Sequence, residues 1–230
     1  MSTWTITWLG HAGFRIEAGG LTLLVDPWLR GNPSFDEAKR DEAIAGATHV
    51  LVSHAHFDHA ADAKEICEKT RAKPVGIVEL VGWLGVEGGI GFNKGGTVDL
   101  GGVRATLVHA VHSSSTVVDE KPFALGAECG FILEAGGESL YFMGDTDVFS
   151  DMGLYQELHK PKVGIVPIGG HFTMDAGRAA FACKKFFQFD TVIPCHYQTF
   201  PLLAQSADAF AAAMAPTRVV APSVMETVSV

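Results

Sequence analysis

Four side chains that commonly bind metal ions occupy the six-residue segment 54–59, which reads His-Ala-His-Phe-Asp-His. Imidazole nitrogens and carboxylate oxygens together suit Zn²⁺, and also Mn²⁺, iron or Ni²⁺. His54 and His56 stand two residues apart, so in an extended chain they can point to the same side. Asp58 and His59 follow on the first turn of a predicted helix and would point elsewhere. The segment therefore predicts a loop that could serve two adjacent cations.

Three further candidate ligands each follow a different predicted strand. His112 comes after "ATLVHAV", Asp145 after "LYFMG" and His196 after "TVIPC". Each of them alone has an ordinary explanation as a turn residue or a hydrogen-bonded histidine. Their joint placement at strand ends, where functional loops concentrate, favours one shared site. Cys195, next to His196, is interpreted as an apolar neighbour on a buried strand rather than as a thiolate ligand.

The elements that must position these residues indicate an α/β protein. Short alternating or β-branched runs such as "TWTITWL", "LTLLVD", "THVLVSH" and "KVGIVPI" predict strands. Residues 129–143 predict a hairpin that turns at "AGGES", so the sheets should be mixed rather than purely parallel. The glycine-rich residues 86–102 are interpreted as loops. Helices are predicted over residues 59–70, 151–160, 175–187 and 204–214.

Composition limits the functional classes. The 230 residues, 47% of them hydrophobic, are enough for one domain spanning 1–230. A net charge of −9 without a basic run argues against nucleic acid as a partner. The four cysteines lack metal-site or disulfide spacing, and no leader or spanning segment is recognisable, so we expect a cytoplasmic protein that does not contact membranes. The 15 phenylalanines indicate an apolar groove wall or an interface between copies of the chain, a homo-oligomer.

The motif "HAHFDH" with its three downstream ligands resembles the metal-binding signature of the metallo-β-lactamase superfamily. The stretches "HSSS", "GDTD", "PIGGHFTMD" and "IPCHYQTFP" are similar to those of prokaryotic metal-dependent hydrolases whose substrate is unassigned. The resemblance spans nearly the whole chain and implies a four-layer αβ/βα sandwich with two mixed sheets and a metal groove at one edge. It also implies two divalent metal ions, most often Zn, with Mn or Ni as alternatives. The ligands implied are His54, His56 and His112 at the first ion, Asp58, His59 and His196 at the second, and Asp145 between them.

Other residues receive supporting roles. The resemblance implies that Asp26 in "LLVDPW" does not bind metal itself, and that its carboxylate holds the ligand loop in position. His171 in "PIGGHFTMD" is predicted to be a substrate-side acid or anion-binding group, with capping of a helix near Met174 as the alternative. Ser113 is expected to touch substrate or a ligand, unless it serves only the turn. His11 in "WLGHAGF" is expected at the groove rim.

The predicted reaction is hydrolysis of an ester, lactone or phosphodiester bond in a small molecule. Two cations about 3.5–4 Å apart can share and activate one water, and Asp58 or a metal-bound water would handle the proton transferred to the leaving group. Two alternatives share the ligands: an iron-dependent persulfide-dioxygenase-like oxidoreductase, and an RNA-processing nuclease. The nuclease is disfavoured by the chain length, which leaves no room for an RNA-binding arm, and by the negative charge.

Overall fold

The computed structural model describes residues 3–230, in which short strands are the commonest elements. The strands, in chain order, are β1 (Thr5–Trp8), β2 (Phe14–Ala18), β3 (Leu21–Val25), β4 (His49–Val52), β5 (Lys73–Ile77), β6 (Ile90–Phe92), β7 (Thr97–Asp99), β8 (Arg104–His109), β9 (Ser115–Val118), β10 (Lys121–Ala124), β11 (Cys129–Ala135), β12 (Glu138–Phe142), β13 (Val163–Pro167), β14 (Thr191–Cys195), β15 (Arg218–Val219) and β16 (Thr227–Ser229).

The helices are short and lie between the strands. After a 3₁₀ turn at Glu37–Lys39, they are α1 (Arg40–Ile44), α2 (Phe57–Ala60), α3 (Ala63–Thr70), α4 (Val78–Leu84), α5 (Met152–His159), α6 (Ala176–Phe186) and α7 (Asp208–Met214). None of the helices within residues 3–230 combines the length and apolar character that crossing a bilayer requires.

Two mixed sheets form the centre of the molecule. Across residues 3–230, each has seven strands, in the orders β16-β1-β2-β3-β4-β5-β6 and β15-β14-β13-β12-β11-β8-β7, while β9 and β10 form a separate hairpin. In each sheet an antiparallel pair such as β2–β3 or β11–β12 continues into parallel strands. The prediction of mixed sheets, including the 129–143 hairpin, is confirmed.

The two sheets pack face to face with helices outside, which gives the four layers. Strand β2 alternates, burying Phe14 and Ile16 toward the second sheet, where Phe14 meets Phe142 edge to face at 6.3 Å. The outer face of the first sheet buries apolar residues such as Val50 against Ile66 of α3. The helices α6 and α7 contribute apolar side chains to the core that contains the second sheet. The expected four-layer fold is therefore confirmed.

The sequence-based predictions were wrong at some element boundaries. Residues 86–102, expected to be loops, contain the edge strands β6 and β7, which are too short to give a clear alternation. The helix expected over 59–70 is split into α2 and α3, and between them Asp62 turns to accept hydrogen bonds from the backbone N–H groups of Leu29 and Arg30. That contact comes from a distant loop and leaves no local signal.

Candidate metal centre

The candidate ligands lie at one edge of the two sheets because each follows the end of a strand. His54 and His56 come directly after β4, and Asp58 and His59 lie on α2, which begins at Phe57. From the second sheet and its loops come the remaining predicted ligands, namely His112 after β8, Asp145 after β12 and His196 after β14. Residues distant in the sequence therefore meet in one place.

The predicted ligands form two clusters. The first, which we call the His54 cluster, contains His54, His56 and His112, with one ring nitrogen from each lying within 4.8 Å of the others. The His54 Nε2 and His56 Nδ1 atoms are 3.0 Å apart. This cluster is half open, because His54 is buried while His56 and His112 are partly exposed.

The second cluster, which we call the His59 cluster, contains Asp58, His59, His196 and also His11. Asp58 Oδ2 lies 3.8 Å from both His59 Nε2 and His196 Nε2, and 3.0 Å from His11 Nε2. The three histidines are fully buried or nearly so. These nitrogens and oxygens lie close enough together to bind one cation.

Asp145 lies between the two clusters. Its Oδ2 atom is 3.9 Å from His54 Nε2 and 3.6 Å from His112 Nε2 on one side. On the other side it is 3.3 Å from His59 Nε2 and 3.0 Å from His196 Nε2. One carboxylate oxygen thus faces ring nitrogens of both clusters.

Several buried polar atoms of the centre lack hydrogen bonds among residues 3–230. They are His59 Nε2, Asp145 Oδ1 and both ring nitrogens of His196. Buried polar atoms without partners are costly and uncommon in folded proteins. Since His59 Nε2 and His196 Nε2 both face the Asp145 carboxylate and all three residues are metal-ligating types, the residues present fit divalent cations.

Burial and neighbouring charges shift the pKa values of the centre in different directions. Burial opposes the charged form of His59, but the carboxylates of Asp145 and Asp58 outweigh it and raise its pKa well above the usual range. Burial would raise the pKa of Asp145, but His196 and His59 reverse this and lower its pKa well below the usual range. Burial and the charge of His59 lower the pKa of His54. Protons and metal ions compete for such atoms.

Asp26 contacts the ligand loop. Its Oδ1 accepts the backbone N–H of Ser53 at 2.7 Å, and its Oδ2 accepts the Ser53 hydroxyl at 2.5 Å and His59 Nδ1 at 2.8 Å. The carboxylate is fully buried, and φ of Asp26 is +45°, a conformation that few non-glycine residues adopt. Because His59 donates from Nδ1, a metal ion that displaces the Nε2 proton would meet a lone pair that faces the centre.

The expectation that His11 lies at the groove rim is wrong, because His11 is fully buried. The Thr199 hydroxyl lies 2.8 Å from His11 Nδ1, and His11 Nε2 lies 3.0 Å from Asp58 Oδ2. A neutral His11 that accepts the Thr199 hydroxyl proton at Nδ1 donates from Nε2 to the Asp58 carboxylate. Burial, followed by the charge of His196, lowers the pKa of His11 to about 4.

Close backbone packing holds His196 in place. Its φ is +57°, so this ligand position is itself strained. A Cβ atom at Gly169 would lie 2.2 Å from the His196 carbonyl oxygen and 3.1 Å from its Nδ1. Only glycine at position 169 therefore allows β13 and β14 to end this close together.

The remaining predicted residues lie around the centre. Ser113 is exposed, with its hydroxyl 3.5 Å from His56 Nε2. His171 is exposed and lines a neighbouring cleft of about 240 Å³ with Asp147 and Arg178, rather than the groove above the centre. Asp175, not His171, caps α6, through the backbone N–H of Arg178. The capping alternative for His171 is therefore wrong.

Sequence reasoning did not single out the aromatic residues above the centre. A groove of about 570 Å³ opens over the ligands, with Phe57, Phe172 and Phe200 in its walls. All three stand inside motifs that carry the ligands or His171, so their nearness to the centre could have been inferred. Their convergence on one groove depends on the tertiary structure.

Comparisons with known proteins agree with this geometry. A family model described as "Beta-lactamase superfamily domain" matches residues 5–196. A UPF0173 metal-dependent hydrolase from Cereibacter sphaeroides is 54% identical over 229 residues, covering 98% of this chain and 99% of the relative. Another, from Dinoroseobacter shibae, is 53% identical over 226 residues, covering 97% and 98%.

A solved structure has the same fold. Igni18, described as a novel metallo hydrolase from the hyperthermophilic archaeon Ignicoccus hospitalis, matches with a TM-score of 0.87 and 34% identity, covering 99% of this chain and 98% of that one. The resemblance inferred from the motifs is confirmed. The chain belongs to the UPF0173 metal-dependent hydrolases of the beta-lactamase superfamily.

Proposed function

We propose that this protein hydrolyses an ester, lactone or phosphodiester bond of a small molecule at a centre of two divalent metal ions. The observation that carries the proposal is the position of Asp145 Oδ2, within 3.9 Å of Nε2 atoms from both clusters. A groove of about 570 Å³ is in the size range of small-molecule sites. Relatives at more than half identity are named metal-dependent hydrolases, which supports the reaction class.

The proposed ligand assignment follows the clusters. The His54 cluster would hold one ion, and Asp58, His59 and His196 of the His59 cluster would hold the other, with Asp145 shared. This donor set of imidazole and carboxylate suits Zn²⁺, with Mn²⁺ or Ni²⁺ as alternatives. Two cations held here would lower the pKa of a shared water and stabilise negative charge that develops on the substrate.

The chain supplies the proton transfer and the orientation. The Asp58 side chain is 13% exposed, so it reaches the groove while His11 holds its Oδ2. We assign Asp58 to carry a proton from water to the leaving group. His171 is proposed to bind or protonate the outer part of the substrate from the neighbouring cleft, which shares Phe172 with the groove. Ser113 is proposed to orient His56 or the substrate.

The test pairs metal analysis with turnover. We would measure metal per chain by elemental analysis, and hydrolysis of chromogenic ester, lactone and phosphodiester substrates before and after chelation. About two Zn or Mn per chain, with cleavage that chelation abolishes and metal restores, is the expected result. Asp145→Ala should reduce both metal content and cleavage.

Two results would contradict the proposal. Full hydrolysis by Asp145→Ala with metals still bound would show that Asp145 is needed neither for metal binding nor for catalysis. Iron near one per chain, with oxygen uptake on a persulfide and no hydrolysis, would indicate the dioxygenase reaction instead.

A further inference from the structure

The walls of the groove above the metal centre are apolar. Its floor is formed by ligand residues, whereas its walls are formed by Phe57, Phe172, Phe200, Pro201 and Leu202, with Ser113 at one side. Phe57 is 61% exposed, Phe172 49% and Leu202 64%. Large apolar side chains that remain exposed together around one opening are typical of a surface that binds an apolar ligand.

Packing behind the walls holds two of these side chains in position. The Trp28 ring meets Phe57 edge to face at 5.4 Å and stacks on Phe200 at 5.8 Å. Trp28 itself is 5% exposed, and the His11 ring packs against both Trp28 and Phe200. An apolar group that enters the groove therefore meets walls that are already ordered, so little conformational entropy is lost on binding.

Among the described residues that line this groove, none is lysine or arginine. Arg178 lines the neighbouring cleft, where both its contacts to the Asp147 carboxylate are 2.8 Å or shorter. Lysine and arginine commonly bind phosphate groups that lie away from a metal ion, so the walls suit an uncharged chain or ring of the substrate better than a charged group.

A second cavity adjoins the groove at Phe57. The same side chain also lines this cavity of about 480 Å³, together with Ala60, Leu80 and Trp83. Trp83 is 50% exposed and stacks on Phe123 of the β9–β10 hairpin. Phe57 thus separates two apolar spaces, one of which lies directly over the ligands.

From these features we infer, on the basis of the hydrolytic function proposed above, that the substrate is an uncharged carboxylic ester or lactone whose apolar chain or ring lies against Phe57, Phe172 and Phe200. In the reaction the oxygen of water bonds to the acyl carbon and the acyl C–O bond breaks. One proton of the water passes to the departing alcohol oxygen, and the acid leaves with the apolar group. Phe57, Phe172 and Phe200 are specificity-determining residues and do not touch the reacting atoms.

The experiment compares metal-loaded enzyme on 4-nitrophenyl acetate, butyrate and octanoate, and on bis(4-nitrophenyl) phosphate. Each methylene buried on an apolar wall is worth about a factor of four in binding, so partial burial of four methylenes should raise kcat/KM at least about tenfold from butyrate to octanoate. Phe172→Ala should reduce the octanoate-to-acetate ratio at least about fivefold at unchanged metal content. Phe181→Ala is the matched control, because Phe181 is 57% exposed on α6 and outside the groove.

A binding measurement keeps this inference separate from the proposed function. Calorimetry with 2-hexanone and 2-decanone, which contain no bond for the enzyme to hydrolyse, should give a tighter Kd for the longer ketone, and Phe172→Ala should remove most of the difference. If ketone binding depends on chain length but no ester is cleaved, the hydrolytic function is contradicted, whereas the preference of the groove for apolar chains is supported. Ester cleavage that is independent of chain length, or a preference for the phosphodiester, would overturn the inference.

Discussion

Replacing Asp26 by asparagine should weaken metal binding although Asp26 belongs to neither cluster. The carboxylate accepts hydrogen bonds at both oxygens, from Ser53 and from His59 Nδ1. The amide of asparagine can replace one oxygen only, so if its oxygen keeps the Ser53 N–H, its NH₂ group faces His59 Nδ1. His59 must then move its proton to Nε2, the atom that faces Asp145 at 3.3 Å.

The size of the effect follows from this change of tautomer. Loss of a partner that orients a ligand histidine typically costs 10- to 100-fold in metal affinity, which is about 1.4–2.7 kcal/mol. We therefore expect Kd for Zn²⁺, measured by competition with a chromophoric chelator, to rise by about that factor in Asp26→Asn. The unfolding midpoint of the metal-free protein should also fall, because buried donors lose their acceptor.

Asp62→Asn is the matched control. Asp62 is as inaccessible as Asp26, at 3% exposure, but it accepts from the backbone N–H groups of Leu29 and Arg30 and belongs to neither cluster. Its substitution should lower stability with little change in Kd. Equal Zn²⁺ affinities for wild type and Asp26→Asn would refute the reasoning, because the tautomer of His59 would then not depend on Asp26.

Four further predictions follow. Gly169→Ala should reduce metal affinity at least about tenfold, because the new Cβ would lie 2.2 Å from the His196 carbonyl oxygen. The control is Gly82→Ala on α4, where nothing lies within 4 Å, and it should keep the metal affinity and stabilise the protein by about 0.5–1 kcal/mol. Equal metal affinities of the two variants in calorimetry would contradict the packing argument. Chelation should lower Tm by about 5–10 °C if metal is present at about 100 times Kd, since such binding contributes about 2.7 kcal/mol; an unchanged melting curve would mean that the clusters bind no metal. His171→Ala should lower kcat/KM at least about tenfold with metal content unchanged; unchanged steady-state kinetics would leave His171 without a role in turnover. The four cysteines are all buried, and burial raises the pKa of the Cys67 and Cys183 thiols to about 12. The native protein should therefore react with a thiol reagent far more slowly than the denatured protein. Rapid reaction of the native protein would show that these sites open readily.

Local spacing explains why much of the centre could be predicted. His54 and His56 are two residues apart after a buried strand, and Asp58 and His59 lie on the first turn of the helix that follows, so their directions depend on neighbouring backbone alone. His112, Asp145 and His196 were found because each follows a hydrophobic run that forms a strand. The short edge strands β6 and β7 were missed because three residues give no reliable period.

The sequence by itself determined the candidate ligands, the mixed α/β class and the family, because ligand chemistry, hydrophobic period and motif spacing are local properties of the chain. Only the tertiary structure decided that His11 is buried beside Asp58, that one oxygen of Asp145 faces both clusters, and that Phe57, Phe172 and Phe200 line one groove. Each of these depends on contacts between segments far apart in the chain. Such contacts are set by how the two sheets pack, and no local pattern encodes the resulting distances.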